Sequence, residues 1–146
     1  MLDESGSIGS TNFNLMKSFL SRLVGRLDID SGNTRVGLVA FSSGIGDGFN
    51  LSDYSTVASV QSAISSLSYS GGGTNTAGAL AYVRTTMLTS AAGDRSNVPN
   101  VVVVLTDGNS DNTNHTLVSL MNCTLFLRIK NYIFWKIIHI ENLCHL

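Results

Sequence analysis

The run Val101-Val102-Val103-Val104-Leu105 narrows the choice of fold more than any other stretch of this chain. Continuous apolar residues, most of them β-branched, suit a strand buried on both faces rather than one with a wet side. Strands of that kind belong to parallel sheets covered by helices. The run stops at Thr106-Asp107-Gly108, so a carboxylate stands at its carboxyl end. A second run, Arg35 to Phe41, reads as another buried strand. Ile45 to Leu51 reads as a weaker one, of the sort found at an antiparallel edge.

Helical periodicity fills the intervals. Phe13, Met16, Leu20, Leu23, Val24 and Leu27 recur at three- and four-residue steps and predict a helix from Asn12 to Leu27. Val57, Val60, Ile64 and Leu67 predict a second between Asp53 and Leu67. Leu80, Val83 and Met87 predict a third from Thr76 to Leu88, and polar Ser90 to Asn97 reads as a surface loop. Strands alternating with helices and no internal repeat give an α/β domain, a doubly wound and mainly parallel sheet flanked by helices.

At 146 residues the chain holds one domain's worth of core, and 43% hydrophobic against 13% charged residues argues for a folded globule. A formal charge of −1 offers nothing to a nucleic acid. The longest apolar stretch, Leu125 to Ile140, is broken by Arg128, Lys130 and Lys136, so no membrane span is expected. Met1-Leu2 runs straight into an acidic motif, with no signal peptide in this chain. The two cysteines, Cys123 and Cys144, lack zinc-type spacing and define no disulfide framework. The pattern changes after about Leu120: residues 121–146 have neither a clean period of two nor one of 3.6. They read as a divergent tail to a domain spanning 1–120, exposed and open to proteases.

Three short stretches carry the chemistry. Asp3-Glu4-Ser5-Gly6-Ser7 aims a carboxylate and two hydroxyls from one tight loop. Gly71-Gly72-Gly73-Thr74-Asn75-Thr76 places Thr74 in a conformationally permissive loop ahead of the third helix. Asp107 follows the apolar strand. In a doubly wound sheet all three lie outside the carboxyl ends of the strands, where ligands collect. Asp3, Ser5, Ser7, Thr74 and Asp107 are hard oxygen donors. They suit Mg²⁺, with Ca²⁺ or Mn²⁺ as alternatives, rather than zinc or copper.

Asp-x-Ser-Gly-Ser, then Gly-Gly-Thr-Asn-Thr, then Leu-Thr-Asp-Gly resemble the motif blocks of the von Willebrand factor A domain, in the form seen in matrilins and collagen VI. The resemblance covers Leu2 to about Leu120. It implies a Rossmann-like fold and a metal-ion-dependent adhesion site with Asp3, Ser5, Ser7, Thr74 and Asp107 as metal ligands. It further implies a secreted, extracellular module that is not an enzyme. Through its ion such a module engages an acidic residue of a protein partner, a collagen-like matrix component or a cell-surface protein. Members of this family run an apolar strand into the first aspartate, whereas only Met1 and Leu2 precede Asp3 here. The domain is therefore expected to be incomplete, with an empty slot between the strands Arg35 to Phe41 and Val101 to Leu105. Residues Tyr132 to Ile138 are the candidates to fill it.

Other readings are weaker. A structural fragment whose ligands no longer assemble is the main alternative. Ser5-Gly6-Ser7-Ile8-Gly9 is a near miss to a nucleophile elbow, with His115 as its base for a hydrolase built on Ser7. The glycine loop lacks the lysine of a phosphate cradle. Asn50, Asn114 and Asn122 each open a glycosylation triplet, of use only in a secreted chain.

Overall fold

The computed structural model describes residues 1–107 and 110–116, together with the backbone of 133–139. Five strands form one sheet: β1 (Leu2–Asp3), β2 (Leu38–Phe41), β3 (Ile45–Phe49), β4 (Asn100–Thr106) and β5 (Ile133–His139). Their order is β3-β2-β1-β4-β5. Only the β2–β3 pair is antiparallel, with a register irregularity between Val39 and Phe41. The expected edge strand is thus β3, and the sheet is mixed but mainly parallel.

Alternation along the strands sorts side chains to two helical layers. Leu2, Leu38, Phe49 and Leu105 face α1 (Gly9–Val24) and α2 (Val57–Ser66), where Phe13, Met16, Val24, Val60 and Ile64 complete one core. Val39, Phe41, Val102 and Val104 face α3 (Thr76–Tyr82) and the π-helical turn that continues it, Val83–Met87. All four residues of β2 are buried, as a strand covered on both sides requires.

Helix boundaries differ from the sequence expectation by a turn or less at most ends. The first helix starts at Gly9 rather than Asn12, because the motif loop turns directly into it and buried Ile8 anchors the entry. The second starts at Val57, where Thr56 and Ser59 close a capping box. The long third helix is split, its last turn widened into the π geometry. The loop expected at Ser90 to Asn97 contains a single 3-10 turn, Ser90–Ala92, ended by Gly93 at φ +92°.

Two expectations about the middle of the sheet need correction. The slot between β2 and β4 is not empty: β1 occupies it, pairing Leu2 with Ala40 and Leu105, and Asp3 with Phe41. The Met1 amino group donates to the Val103 carbonyl at 2.7 Å, and the Leu105 N–H to the Met1 carbonyl at 3.0 Å. Nor does the tail enter that slot. Ile133–His139 pairs in parallel with the far side of β4, from Asn100–Ile133 through Thr106–His139. A cavity of about 490 Å³ lies beside Met1, lined in part by residues of β2 and β4.

Candidate functional site

β1 and β4 are neighbours on either side of the reversal in strand order, since the chain moves from β1 out to β2 on one side and returns to β4 on the other. Their carboxyl ends release Asp3 and Asp107 into the same crevice. This is where the topology converts two sequence positions a hundred residues apart into one place.

Asp3 is fully buried. Its Oδ1 accepts the Ser5 N–H at 2.8 Å and its Oδ2 accepts the Thr106 hydroxyl at 2.6 Å, so the carboxylate is held from both sides. The first bond turns the chain sharply after β1 and brings the two serines around. Ser5 Oγ lies 3.1 Å from Ser7 Oγ, and the Ser7 hydroxyl donates to Asp107 Oδ1 at 3.1 Å. Four of the five expected ligands therefore form a continuous hydrogen-bonded row running from a buried carboxylate to an exposed one.

Thr74 reaches this row from the side. The Gly6 N–H donates to the Gly72 carbonyl at 2.8 Å, which locks the glycine loop against the motif loop. Gly72 sits at φ +109° with Ser43 Oγ 3.0 Å from where a Cβ would stand, so only glycine fits the approach. Thr74 itself is buried, and its backbone is gripped by the segment after β4. Its N–H donates to Asp111 Oδ2 at 2.7 Å, and its carbonyl accepts the Asp111 N–H at 3.0 Å and the Ser110 hydroxyl at 3.1 Å. Among the described residues the Thr74 hydroxyl itself is not hydrogen-bonded to Ser5, Ser7 or Asp107.

Sequence reading missed three supports of the site. Glu4 is 98% buried, and its Oε2 accepts the Ser70 N–H at 3.3 Å. The Tyr69 hydroxyl donates to the Ser5 carbonyl at 3.0 Å. Asp111 is the third. The signal for Glu4 was its place inside the motif, between Asp3 and Ser5. His115, the base of the hydrolase reading, is exposed, with its N–H bonded to Asn112 Oδ1 at 3.0 Å. Ser7 is instead engaged with Ser5 and Asp107.

The donor set is chemically uniform, carboxylate and hydroxyl oxygens throughout, with Ser5 Oγ, Ser7 Oγ and Asp107 Oδ1 within hydrogen-bonding distance in turn. That fits a hard divalent cation. Among the described residues no group of three or more His, Cys, Asp or Glu gathers at one point, so a soft-metal site of thiolates and imidazoles has no counterpart.

The family model of the von Willebrand factor type A domain matches residues 1–124. The collagen alpha-4(VI) chain of Mus musculus is 42% identical over 112 residues, covering 75% of this chain and 5% of its own length. Matrilin-1 of Homo sapiens is 36% identical over 110 residues, covering 75% of this chain and 22% of its own. The chain thus spans a small part of either relative. Among solved structures, proximal thread matrix protein 1 from the mussel byssus superposes with a TM-score of 0.83 at 23% identity, over 94% of this chain and 36% of that one. Another structure of that protein, described as having a zinc-occupied MIDAS motif, matches with a TM-score of 0.73 at 22% identity, over 97% of this chain and 43% of its own.

Proposed function

This chain belongs to the von Willebrand factor type A domain family, and on that footing we propose that it is an extracellular-matrix binding module whose site holds a divalent cation, Mg²⁺ first, between Asp3, Ser5, Ser7, Thr74 and Asp107. The observation that carries this reading is the hydrogen-bonded row of oxygen donors from Asp3 to Asp107 at the carboxyl ends of β1 and β4. Collagen VI and matrilin relatives support a role among matrix proteins, and the zinc-occupied MIDAS of the byssus protein supports a divalent ion on this fold.

The residues divide the work by burial. Asp3 is fixed by Ser5 and Thr106 and sets the position of the loop. Ser5 and Ser7 present hydroxyls that would hold an ion in place of their mutual contact. Asp107, exposed at the rim, is the adjustable carboxylate. A bound cation would supply Lewis acidity, and with two carboxylates its charge is only formally neutralised. An acidic side chain of a protein partner can then complete the shell. The collagen VI and matrilin relatives support a module that binds rather than catalyses.

The test is thermal unfolding with and without Mg²⁺. A ligand that binds only the native state stabilises it by about 2.7 kcal/mol at a hundredfold excess over its Kd. Asp107→Ala removes one of two carboxylates from an exposed position and should erase that increment while leaving the metal-free melting temperature in place. Identical melting of the unmutated chain in Mg²⁺ and in chelator supports the alternative, a fragment whose ligands no longer hold an ion.

A further inference from the structure

We propose that Asn114 is an N-glycosylation site, modified while the chain is being made, so that the folded module carries an oligosaccharide beside its row of oxygen donors. Asn114-His115-Thr116 has the acceptor triplet, with no proline in the middle position. Asn114 is exposed, as a residue bearing so bulky and hydrophilic a group must be. The other described triplet, Asn50-Leu51-Ser52, is a poorer base. Asn50 is half-buried and lines a cavity of about 180 Å³ with Asp53, Tyr82 and Met87, and its N–H donates to Asp53 Oδ2 at 2.7 Å. Asn122 lies outside the described residues. The setting of this site comes from the extracellular reading above, on which the proposal rests.

The local fold places the triplet where a glycan displaces nothing. Asn112 precedes the helical turn 113–116, and its Oδ1 accepts the His115 N–H at 3.0 Å, the bond of an N-cap. Residues 111–115 are all exposed. Thr116, half-buried, ties this surface stretch to the site: its Oγ1 lies 2.7 Å from Ser110 Oγ and 3.0 Å from the Asn112 carbonyl. The Ser110 hydroxyl in turn donates to the Thr74 carbonyl at 3.1 Å. Two hydrogen bonds thus connect the threonine of the triplet with Thr74, a proposed ligand of the ion, and they root the glycan at the rim of the site.

Attachment is a transfer from a lipid-linked oligosaccharide diphosphate. Asn114 Nδ2 forms a bond to the anomeric carbon, and the bond from that carbon to the diphosphate oxygen breaks. The lipid diphosphate leaves with the electron pair, and one amide proton passes to solvent. A transferase that reads the triplet needs the amide and the threonine hydroxyl together, on an extended backbone. Folding withdraws both conditions, because the three residues coil into one turn and Thr116 Oγ1 is held by Ser110 and Asn112. Transfer therefore precedes the docking of residues 110–116 on Thr74.

The test expresses the full chain behind a secretion leader in cultured animal cells, beside Asn114→Gln and Thr116→Ser. The parent chain and Thr116→Ser, which keeps the triplet and its hydroxyl, should run at a raised apparent mass that peptide N-glycosidase removes. That enzyme leaves an aspartate where a glycan stood, and peptide mass spectrometry should find it at position 114. Asn114→Gln should lose this mark. The same chain made in bacteria, and shown to be folded by cooperative unfolding, should not be modified by detergent-opened microsomes supplied with the lipid-linked donor. An unmodified Asn114 in the animal-cell chain, secreted or retained, overturns the proposal, and modification of the folded bacterial chain overturns its timing. The leader delivers the chain whatever its natural location, so failure here counts against the site and not against the extracellular reading. Mg²⁺ is far smaller than an oligosaccharide and should raise the melting temperature of the glycosylated chain and of Asn114→Gln alike, which keeps the metal reading on a separate measurement.

Discussion

Asp3 and Asp107 are both aspartates of the proposed metal site, yet their surroundings give them different tasks. Asp3 is buried and bonded through both oxygens, whereas Asp107 is exposed and accepts from the Ser7 hydroxyl. Both were legible as candidates, Asp3 from its spacing to Ser5 and Ser7 and Asp107 from its place at the end of an apolar strand. Glu4 was not legible as a support, since nothing in a sequence separates a buried carboxylate from a solvated one. Gly72 shows how much one residue can hold. Replacing it by alanine forces a side chain into φ +109° and against the Ser43 hydroxyl, which itself accepts the Gly73 N–H at 2.7 Å. We expect Gly72→Ala to cost about 1–3 kcal/mol, read as a lowered urea midpoint, and to weaken Mg²⁺ binding because Thr74 shifts. An unchanged midpoint would show that the loop relaxes freely.

At the level of elements, the sequence was most informative where a single face is buried. The stripes of α1 and α2 were plain, and so were the continuous apolar strands β2 and β4. β1 was invisible because two residues display no period. β5 was hidden for a different reason: Ile133-Phe134-Trp135-Lys136-Ile137-Ile138-His139 has no alternation, and a parallel strand need not have any. Ends of helices depended on capping that sequence only hints at. α2 begins at a reciprocal box, in which the Thr56 hydroxyl accepts the Ser59 N–H at 3.2 Å and the Ser59 hydroxyl accepts the Thr56 N–H at 3.3 Å. Its other end is served by Lys17 of α1, whose ammonium donates to the carbonyls of Ser65 and Leu67 at 3.2 and 2.9 Å. Thr56→Ala should therefore lower stability by about 1 kcal/mol, and chemical denaturation will show it. A loss near zero would mean that the Lys17 contacts and the buried face of α2 hold the helix without its cap.

Across the whole molecule, the amino terminus is wedged into the centre of the sheet. Burial lowers the Met1 amine from its ordinary 8.0 to about 5. Between those values the unfolded chain holds a proton that the folded chain does not, so this group makes stability rise as pH rises from about 5 to 8. The slope approaches 1.4 kcal/mol per pH unit, roughly. Nα-acetylation removes the titration and keeps an N–H for Val103. Comparing urea midpoints of the free and acetylated chains at pH 5.5 and 8 should show the pH dependence reduced by acetylation. Equal dependence in both forms would place the amine in solvent. The doubly wound architecture as a whole was legible from alternating strands and helices, but the filling of its centre was not, because that depends on register rather than composition.

The pairing of Met1 with Val103 also has a consequence for synthesis. Residues Met1 to Asp3 cannot take their place until residues more than a hundred positions later have been added. At roughly 5–20 residues per second, β1 waits about 5–20 s for β4 with its site loop unformed. During that interval β2 and β3 can already pair, leaving the inner edge of β2 exposed to other chains. A ribosome-bound chain is thus most vulnerable to mispairing just before β4 emerges, and closure of the oxygen row is among the last events of its folding.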